Sequence, residues 1–189
     1  MATISKIIER KKTKGIVKTN SKGGISAYRK GKMAELQLIK FFNSIWPHIE
    51  FRRTPHSGAW DKDNKFHMNG DLISTDPYFP FAVEIKGRKS FDLYHFFKPI
   101  KDSDIMRWYM KIKKYAEDKI PMVALKCNHR PWLFFIGLKD FYTYCSLKDK
   151  LDNYNHLIWG KDDERIIVFD ESSKDFLIDI YNNYKNKHS

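Results

Sequence analysis

Apolar residues recur at helical spacing in the first third of the chain. Between residues 26 and 45, positions three and four apart predict one buried helix face: Ala34, Leu38, Phe41 and Ile45. Glu35 belongs to the adjacent row with Ile39 and Phe42, so we expect this acid to border the protein interior. Helical glutamates are usually solvated, and this placement makes Glu35 a candidate for chemistry.

Three more helices are predicted further along the chain. The first covers residues 103–118, with Ser103 as its candidate N-cap. The row opposite its apolar face is basic: Arg107, Lys111 and Lys114. Such a row suits a nucleic-acid backbone, although charged outer faces are also normal on surface helices. The other two helices are expected near residues 138–151 and after residue 173.

Short alternating or β-rich runs predict strands between these helices. In residues 48–53 the alternation places Arg53 on the apolar side with Ile49 and Phe51. The other predicted strands are residues 71–75, 81–87, 122–126, 132–136 and 165–169. Residues 54–69 are rich in polar and chain-breaking types and predict an irregular loop. This mixture predicts one α/β domain over residues 26–189.

Residues 70–89 carry the clearest chemical signal. Two β-rich runs flank a turn that contains Pro77 and Pro80, so we expect a β-hairpin. The period of two places Glu84 and Lys86 on one face of the second strand. Because burying charge is costly unless the charges are paired or used, this acid and base predict a site.

A hairpin would bring Asp71, at the start of its first strand, close to Glu84 in the second. Carboxylate oxygens are the ligands that Mg²⁺ prefers, and a nearby Lys86 could orient a water or a phosphate oxygen. The spacing therefore favours metal-dependent phosphodiester cleavage. A surface hairpin with an ion pair between residues two apart is the alternative interpretation.

The charge of the chain is concentrated at its N-terminus. The formal net charge is +12, and residues 1–32 contain ten Lys or Arg residues against the single Glu9. We expect residues 1–25 to form a flexible basic arm that binds phosphates, or else a solvated tail that aids solubility. A polyanion, most simply nucleic acid, is the expected partner.

The remaining composition narrows the setting. Cys127 and Cys145 are the only cysteines and form no CxxC pair, which argues against a disulfide framework or a cysteine zinc site. The chain contains neither an apolar run of membrane-spanning length nor a signal-peptide pattern. We therefore expect a soluble, cytoplasmic protein without a membrane partner.

Three motifs, in order along the chain, resemble the PD-(D/E)XK nucleases. They are GKMAE at residues 31–35, RTPHSG at 53–58, and GD at 70–71 followed by EIK at 84–86. The order is similar, more narrowly, to that of the archaeal-type Holliday junction resolvases and their viral relatives. The resemblance covers residues 26–137 and leaves 138–189 as an extension.

The resemblance implies a fold, a cofactor and a substrate. The implied fold is a restriction-endonuclease-like core, with a central mixed β-sheet flanked by helices and a C-terminal α/β extension. The implied activity is that of a homodimer that uses Mg²⁺, with Mn²⁺ as a substitute, to introduce paired nicks in a four-way DNA junction. A restriction-type or general recombination and repair nuclease stays open, as does a non-catalytic nucleic-acid-binding protein.

The resemblance also implies roles for individual residues. Asp71 and Glu84 would bind the metal, and Glu35 would assist the metal or its water shell. Lys86 would orient or activate the nucleophile. The residues expected at the DNA are Lys32, Arg52, Arg53, His56, Ser57, Arg88 and Lys89.

Overall fold

The computed structural model describes residues 21–54, 67–99 and 102–189. Four α-helices lie within these ranges: α1 (Ser21–Ile45), α2 (Asp104–Tyr115), α3 (Leu138–Tyr144) and α4 (Lys174–His188). The strands are β1 (Phe51–Arg53), β2 (His67–Asn69), β3 (Leu72–Ser74), β4 (Phe81–Arg88), β5 (Ile120–Cys127), β6 (Trp132–Gly137), β7 (His156–Trp159) and β8 (Ile166–Asp170). Across the described ranges, no helix is both long enough and apolar enough to span a membrane.

The described strands form two sheets. The larger has the order β4-β5-β6-β8-β7, in which β4 and β5 are parallel and the other pairs are antiparallel. The smaller is antiparallel, with β3 between β1 and β2. The mixed central sheet flanked by helices confirms the expected restriction-endonuclease-like α/β fold.

Two hydrophobic clusters cover the two faces of the large sheet. Helices α1, α3 and α4 pack on one face, where Phe81, Val83 and Ile85 of β4 are buried. Helix α2 packs on the other face, against Ala82 of β4 and the alternate residues of β5. The period-two assignment of the β4 faces is therefore confirmed, and Glu84 and Lys86 belong to the face that α2 covers.

The predicted hairpin is wrong, because β3 and β4 do not pair as a ladder. Both edges of β3 are taken by β1 and β2, which leaves none for β4. Strand β4 pairs instead with β5, which follows it only after helix α2. Among the described residues the two sheets meet at one bridge, between Gly70 and Val83, where the Asp71 N–H donates to the carbonyl of Val83 at 2.8 Å.

Several element boundaries also differ from the prediction. Helix α1 begins at Ser21 rather than at residue 26, while residues 1–20 of the expected arm lie outside the described ranges. The predicted loop over residues 54–69 ends in β2, and its residues 55–66 are not described. Ser103 precedes α2 as expected, but its side chain makes no capping hydrogen bond.

The C-terminal third also departs from the prediction. The helix expected over residues 138–151 stops at Tyr144, because Cys145 adopts an extended backbone, and a 3₁₀ segment, Ser146–Asn153, follows. Strand β7 was not predicted. It forms the outer edge of the large sheet, where Leu157 and Ile158 stay exposed.

An aromatic cluster fixes the small sheet against α1. Phe42 and Trp46 of α1 contact Phe51 of β1 and Phe79 of the segment before β4, with ring centroids 5.4–6.2 Å apart. All four side chains are buried. Their packing sets the position of β1 relative to α1, and with it the position of Arg53.

Candidate active site

Glu84 is the most deeply buried acid of the candidate site. It lies in the middle of β4 on the face that α2 covers, and only 3% of its surface is exposed. Lys86 of the same strand forms an ion pair with Oε1 of Glu84. Lys111 of α2 donates to both carboxylate oxygens, at 2.9 and 3.0 Å. Two lysines from different elements therefore neutralise this buried carboxylate.

Asp71 is held beside β4 by backbone hydrogen bonds. Its N–H donates to Val83 O at 2.8 Å, and its Oδ2 accepts from the Ile85 N–H at 2.7 Å. Val83 and Ile85 flank Glu84 in sequence. The Asp71 carboxylate is thus fixed next to Glu84 by the main chain of the strand that carries Glu84.

Gly70 makes this approach possible. Its φ is +78°, a left-handed conformation that glycine adopts at little cost, and a Cβ at this position would overlap Val83 O. Thr54 holds the same turn, since its hydroxyl donates to Gly70 O at 2.6 Å and its N–H donates to Asp71 O at 3.1 Å. Gly70 and Thr54 therefore position Asp71.

The pKa of Asp71 reflects its burial next to a second acid, Glu84. Burial raises the pKa of the Asp71 carboxyl, and the negative charge of Glu84 raises it further. The Ile85 N–H, Lys86 and Lys111 oppose that rise. On the cation side, the hydrogen bond to Glu84 raises the pKa of Lys111. Asp71 and Glu84 together concentrate negative charge, and Lys86 and Lys111 are the cations that offset it.

These acids fit a hard divalent cation. Asp71 is hydrogen-bonded to Ile85, the residue after Glu84, so the two acids offer carboxylate oxygens from neighbouring positions in space. Such oxygens suit Mg²⁺ or Mn²⁺. Within the described ranges, no group of three or more His, Cys, Asp or Glu side chains is arranged to hold a metal. Two protein carboxylates are nevertheless a common number for Mg²⁺, which retains several waters.

Glu35 belongs to a different element, helix α1, which packs on the face of the large sheet opposite Glu84. Its carboxylate forms an ion pair with Arg53, and both side chains are about one-fifth exposed. Helix α1 approaches the end of β4 closely, because a Cβ on Gly87 would lie 3.1 Å from Ala34 Cβ. The expected inward placement of Glu35 and Arg53 is found, and their pairing links α1 to β1.

Apart from Arg53, the residues expected at the DNA fall into three groups. Lys32, Arg88 and Lys89 are exposed, and the Arg88 guanidinium lies 4.9 Å from the ring centre of Trp108 in α2. Arg52 is also exposed and pairs with Glu50. His56 and Ser57 lie outside the described residues.

Lys111 and Trp108 are site residues that sequence reasoning missed. Lys111 was assigned to the outer, basic row of its helix, and its side chain is indeed 58% exposed. The Trp108 ring lies below both Arg88 and Lys86, 5.9 Å from the Lys86 Nζ. Helical periodicity identifies the basic row, but it cannot show which of its members meets Glu84.

A protein-family model described as Phage putative PDDEXK endonuclease matches residues 26–183. The match spans more than four-fifths of the 189 residues and continues past residue 137, where the sequence resemblance was expected to end. Among curated proteins and among solved structures, no match was found. The chain therefore belongs to the phage PDDEXK endonuclease family and is a nuclease of the PD-(D/E)XK superfamily.

Proposed function

We propose that this protein is a Mg²⁺-dependent endonuclease that nicks branched DNA, with the four-way junction as its preferred substrate. The observation that carries the proposal is the main-chain coupling of Asp71 to the strand of Glu84, with Lys86 on the same strand face. Metal-assisted phosphodiester hydrolysis needs such paired carboxylates and a nearby cation.

Asp71 and Glu84 would hold the metal, and Glu35 would act on its water shell. When bound, a divalent ion lowers the pKa of water and stabilises charge on the phosphate oxygens. Lys86, released from Glu84, would orient the attacking water through its ammonium group. A water oxygen then forms the new bond to phosphorus as the bond to one deoxyribose oxygen breaks, and that oxygen takes up a proton.

The charged surroundings of the site suit a DNA backbone. Arg88 and Lys89 are exposed at the end of β4, Lys32 is exposed on α1, and the sequence places further cations in residues 1–25. The support for a junction, rather than another DNA, is the order of the three motifs, including residues 53–58. Paired nicks at a junction would require two copies of the chain, so the proposal includes a homodimer.

The deciding experiment compares cleavage of an immobile four-way junction with cleavage of linear duplex, single strand and flap, with Mg²⁺ and with EDTA. We expect Mg²⁺-dependent nicking of the junction. The Glu84→Gln variant should lose more than about 100-fold in cleavage rate, because changing even a hydrogen-bond partner of a metal ligand costs about 10–100-fold. Glu117→Gln, which changes an exposed acid in the turn after α2, is the matched control and should keep full activity.

The outcomes separate the possible functions. Equal cutting of duplex and junction would reject the junction and favour a restriction-type or general repair nuclease. Tight DNA binding without cutting in any divalent metal would favour a non-catalytic binding protein. Light scattering that shows one protein chain bound per junction would contradict paired nicking.

A further inference from the structure

A groove of about 660 Å³ opens beyond the C-terminal end of β4, the strand that carries Glu84 and Lys86. Its walls come from three places in the chain: Lys89 and Phe91 after β4, Leu125 and Cys127 at the end of β5, and Arg130 and Leu133 around the start of β6. This volume lies within the usual range of pockets for small organic groups.

The floor of the groove continues the sheet face that carries the acids. In the parallel ladder of β4 and β5, Lys86 is opposite Leu125, and Arg88 is opposite Cys127. Residues opposite each other in such a ladder point to the same face, and neighbouring strands lie about 4.8 Å apart. The groove therefore begins one strand away from Lys86, on the same side of the sheet.

The interior of the groove is apolar and its rim is cationic. Phe91 and Leu133 are half-buried, and one face of the Phe91 ring stacks on His95 at 5.2 Å. Lys89 and Arg130 are exposed at the rim. This combination of a ring, an aliphatic wall and two cations matches a nucleotide, in which a flat base carries an anionic phosphate.

The electrostatics of the groove support an anionic ligand. Burial raises the pKa of the Cys127 thiol at its floor, whereas the positive charges of Arg88, Arg130 and Lys126 act in the opposite direction. Lys126 lies on the opposite face of β5, where its ammonium is 3.8 Å from the carboxylate of Glu171. The cations that line the groove itself are Lys89 and Arg130.

We propose that this groove receives one unpaired base of the DNA substrate next to the cleaved phosphate. The base would lie against Phe91 and Leu133, and its neighbouring phosphates would meet Lys89 and Arg130. The inference rests on the proposed function and narrows its substrate to DNA with an unpaired or easily unpaired nucleotide near the cut. A base in a continuous duplex stays stacked and paired, and only an unpaired base reaches such a groove at low cost.

The test uses a linear duplex with one unpaired 2-aminopurine nucleotide and the same duplex with that nucleotide paired to thymine. Binding of the full-length protein is measured by anisotropy in EDTA, so that no cutting occurs, and base insertion is read from 2-aminopurine fluorescence. We expect about ten-fold tighter binding of the bulged duplex, since stacking of one base on an aromatic side chain is worth roughly that factor.

Two variants change the groove in different ways. Leu133→Trp fills it, and should bring the ratio of the two affinities close to one and abolish the fluorescence change. Lys89→Ala with Arg130→Ala leaves the walls intact and should reduce the salt dependence of bulge binding by roughly two charges. The matched control, Lys161→Ala with Lys174→Ala, removes two exposed cations elsewhere and should keep the bulge preference. Circular dichroism establishes folding of each variant.

The results decide the inference separately from the proposed function. Equal binding of bulged and paired duplex by the wild type overturns the groove assignment, even where Mg²⁺-dependent cutting is observed. A bulge preference that survives in Leu133→Trp also overturns it. Failure of the wild type to cut any DNA rejects the nuclease proposal, while a groove-dependent bulge preference in EDTA still supports the base site.

Discussion

At the scale of single residues, the candidate site is defined by how Glu84 is neutralised. Burying a carboxylate at 3% exposure requires partners, and Lys86 and Lys111 supply them from a strand and a helix. A divalent cation bound by Glu84 would compete with both lysines for the same oxygens. If the site binds metal as proposed, Lys111 would couple the stability of the metal-free protein to its affinity for metal.

Replacing Lys111 by Ala tests this coupling. We expect the free energy of unfolding in EDTA to fall by about 1 kcal/mol, a modest value because more than half of the lysine side chain is solvent-exposed. Mn²⁺ should bind more tightly to the variant, because one competing cation is gone. Denaturant titration and calorimetry with the metal measure the two effects.

Lys114→Ala is the matched control for this prediction. Lys114 belongs to the same basic row of α2 but contacts the exposed ring of Tyr115. It should leave metal affinity unchanged. Equal metal affinity in Lys111→Ala and the wild type would show that Lys111 does not compete for Glu84.

At the scale of elements, the site depends on where the two sheets meet. The amphipathic pattern of α2 and the face assignment of β4 follow from local periodicity, and both are confirmed. The hairpin was wrong because strand pairing depends on which edges the rest of the chain occupies. Asp71 reaches Glu84 all the same, through the bridge at Gly70 and Val83.

Substituting Gly70 by Ala tests the role of this bridge. The change should destabilise the protein by more than about 2 kcal/mol, because it adds a left-handed backbone penalty to a steric overlap with Val83 O. Asp71 should move away from β4, with loss of DNA cutting at temperatures where the variant is still folded. Thermal denaturation and a cleavage assay follow the two losses.

The comparison for this prediction is Gly31→Ala within α1. Among the described residues, a Cβ at Gly31 would meet no atom within 4 Å beyond its own stretch of helix, so the variant should be about 0.5–1 kcal/mol more stable through helix propensity. Its cutting activity should stay at the wild-type level. Gly70→Ala with wild-type cutting and stability would contradict the positioning of Asp71 by this glycine.

At the scale of the whole molecule, the C-terminal helix is tied to the connection between the two sheets. Asp76 lies in the segment from β3 to β4, and its Oδ2 accepts hydrogen bonds from Tyr181 at 2.5 Å and Lys185 at 3.2 Å. Both partners belong to α4, which packs in the same core cluster as α1. The C-terminal segments therefore help to hold the connection that leads into β4.

This tie predicts a pH-dependent contribution to stability. Burial opposes ionisation of Asp76, but the hydrogen bonds from Tyr181, the Tyr78 N–H and Lys185 outweigh it and lower the pKa of the Asp76 carboxyl below 3.8. Because the folded-state pKa is depressed, the stabilisation is present above pH 3.8 and is lost as pH falls through the folded-state pKa.

Asp76→Asn should accordingly lower the free energy of unfolding by about 1.5–3 kcal/mol at pH 7, the usual range for hydrogen bonds to a charged group. The difference from the wild type should shrink as pH falls below 3.8. Denaturant titrations over this pH range measure it. A difference that stays constant with pH would point to a structural effect unrelated to the charge of Asp76.

Local sequence patterns predicted most of the elements and the chemical types at the site. Periodicity placed Glu35 and Arg53 at the interior and put Glu84 and Lys86 on one strand face, because the geometry of a helix or strand fixes which side chains share a side. These are local properties of a few consecutive residues.

The contacts between distant elements could be read from the folded structure alone. It joined β4 to β5 rather than to β3, brought Lys111 of α2 to Glu84, and created the groove between β4, β5 and β6. Contacts between residues distant in sequence depend on the packing of all elements at once, and the local pattern carries no record of them.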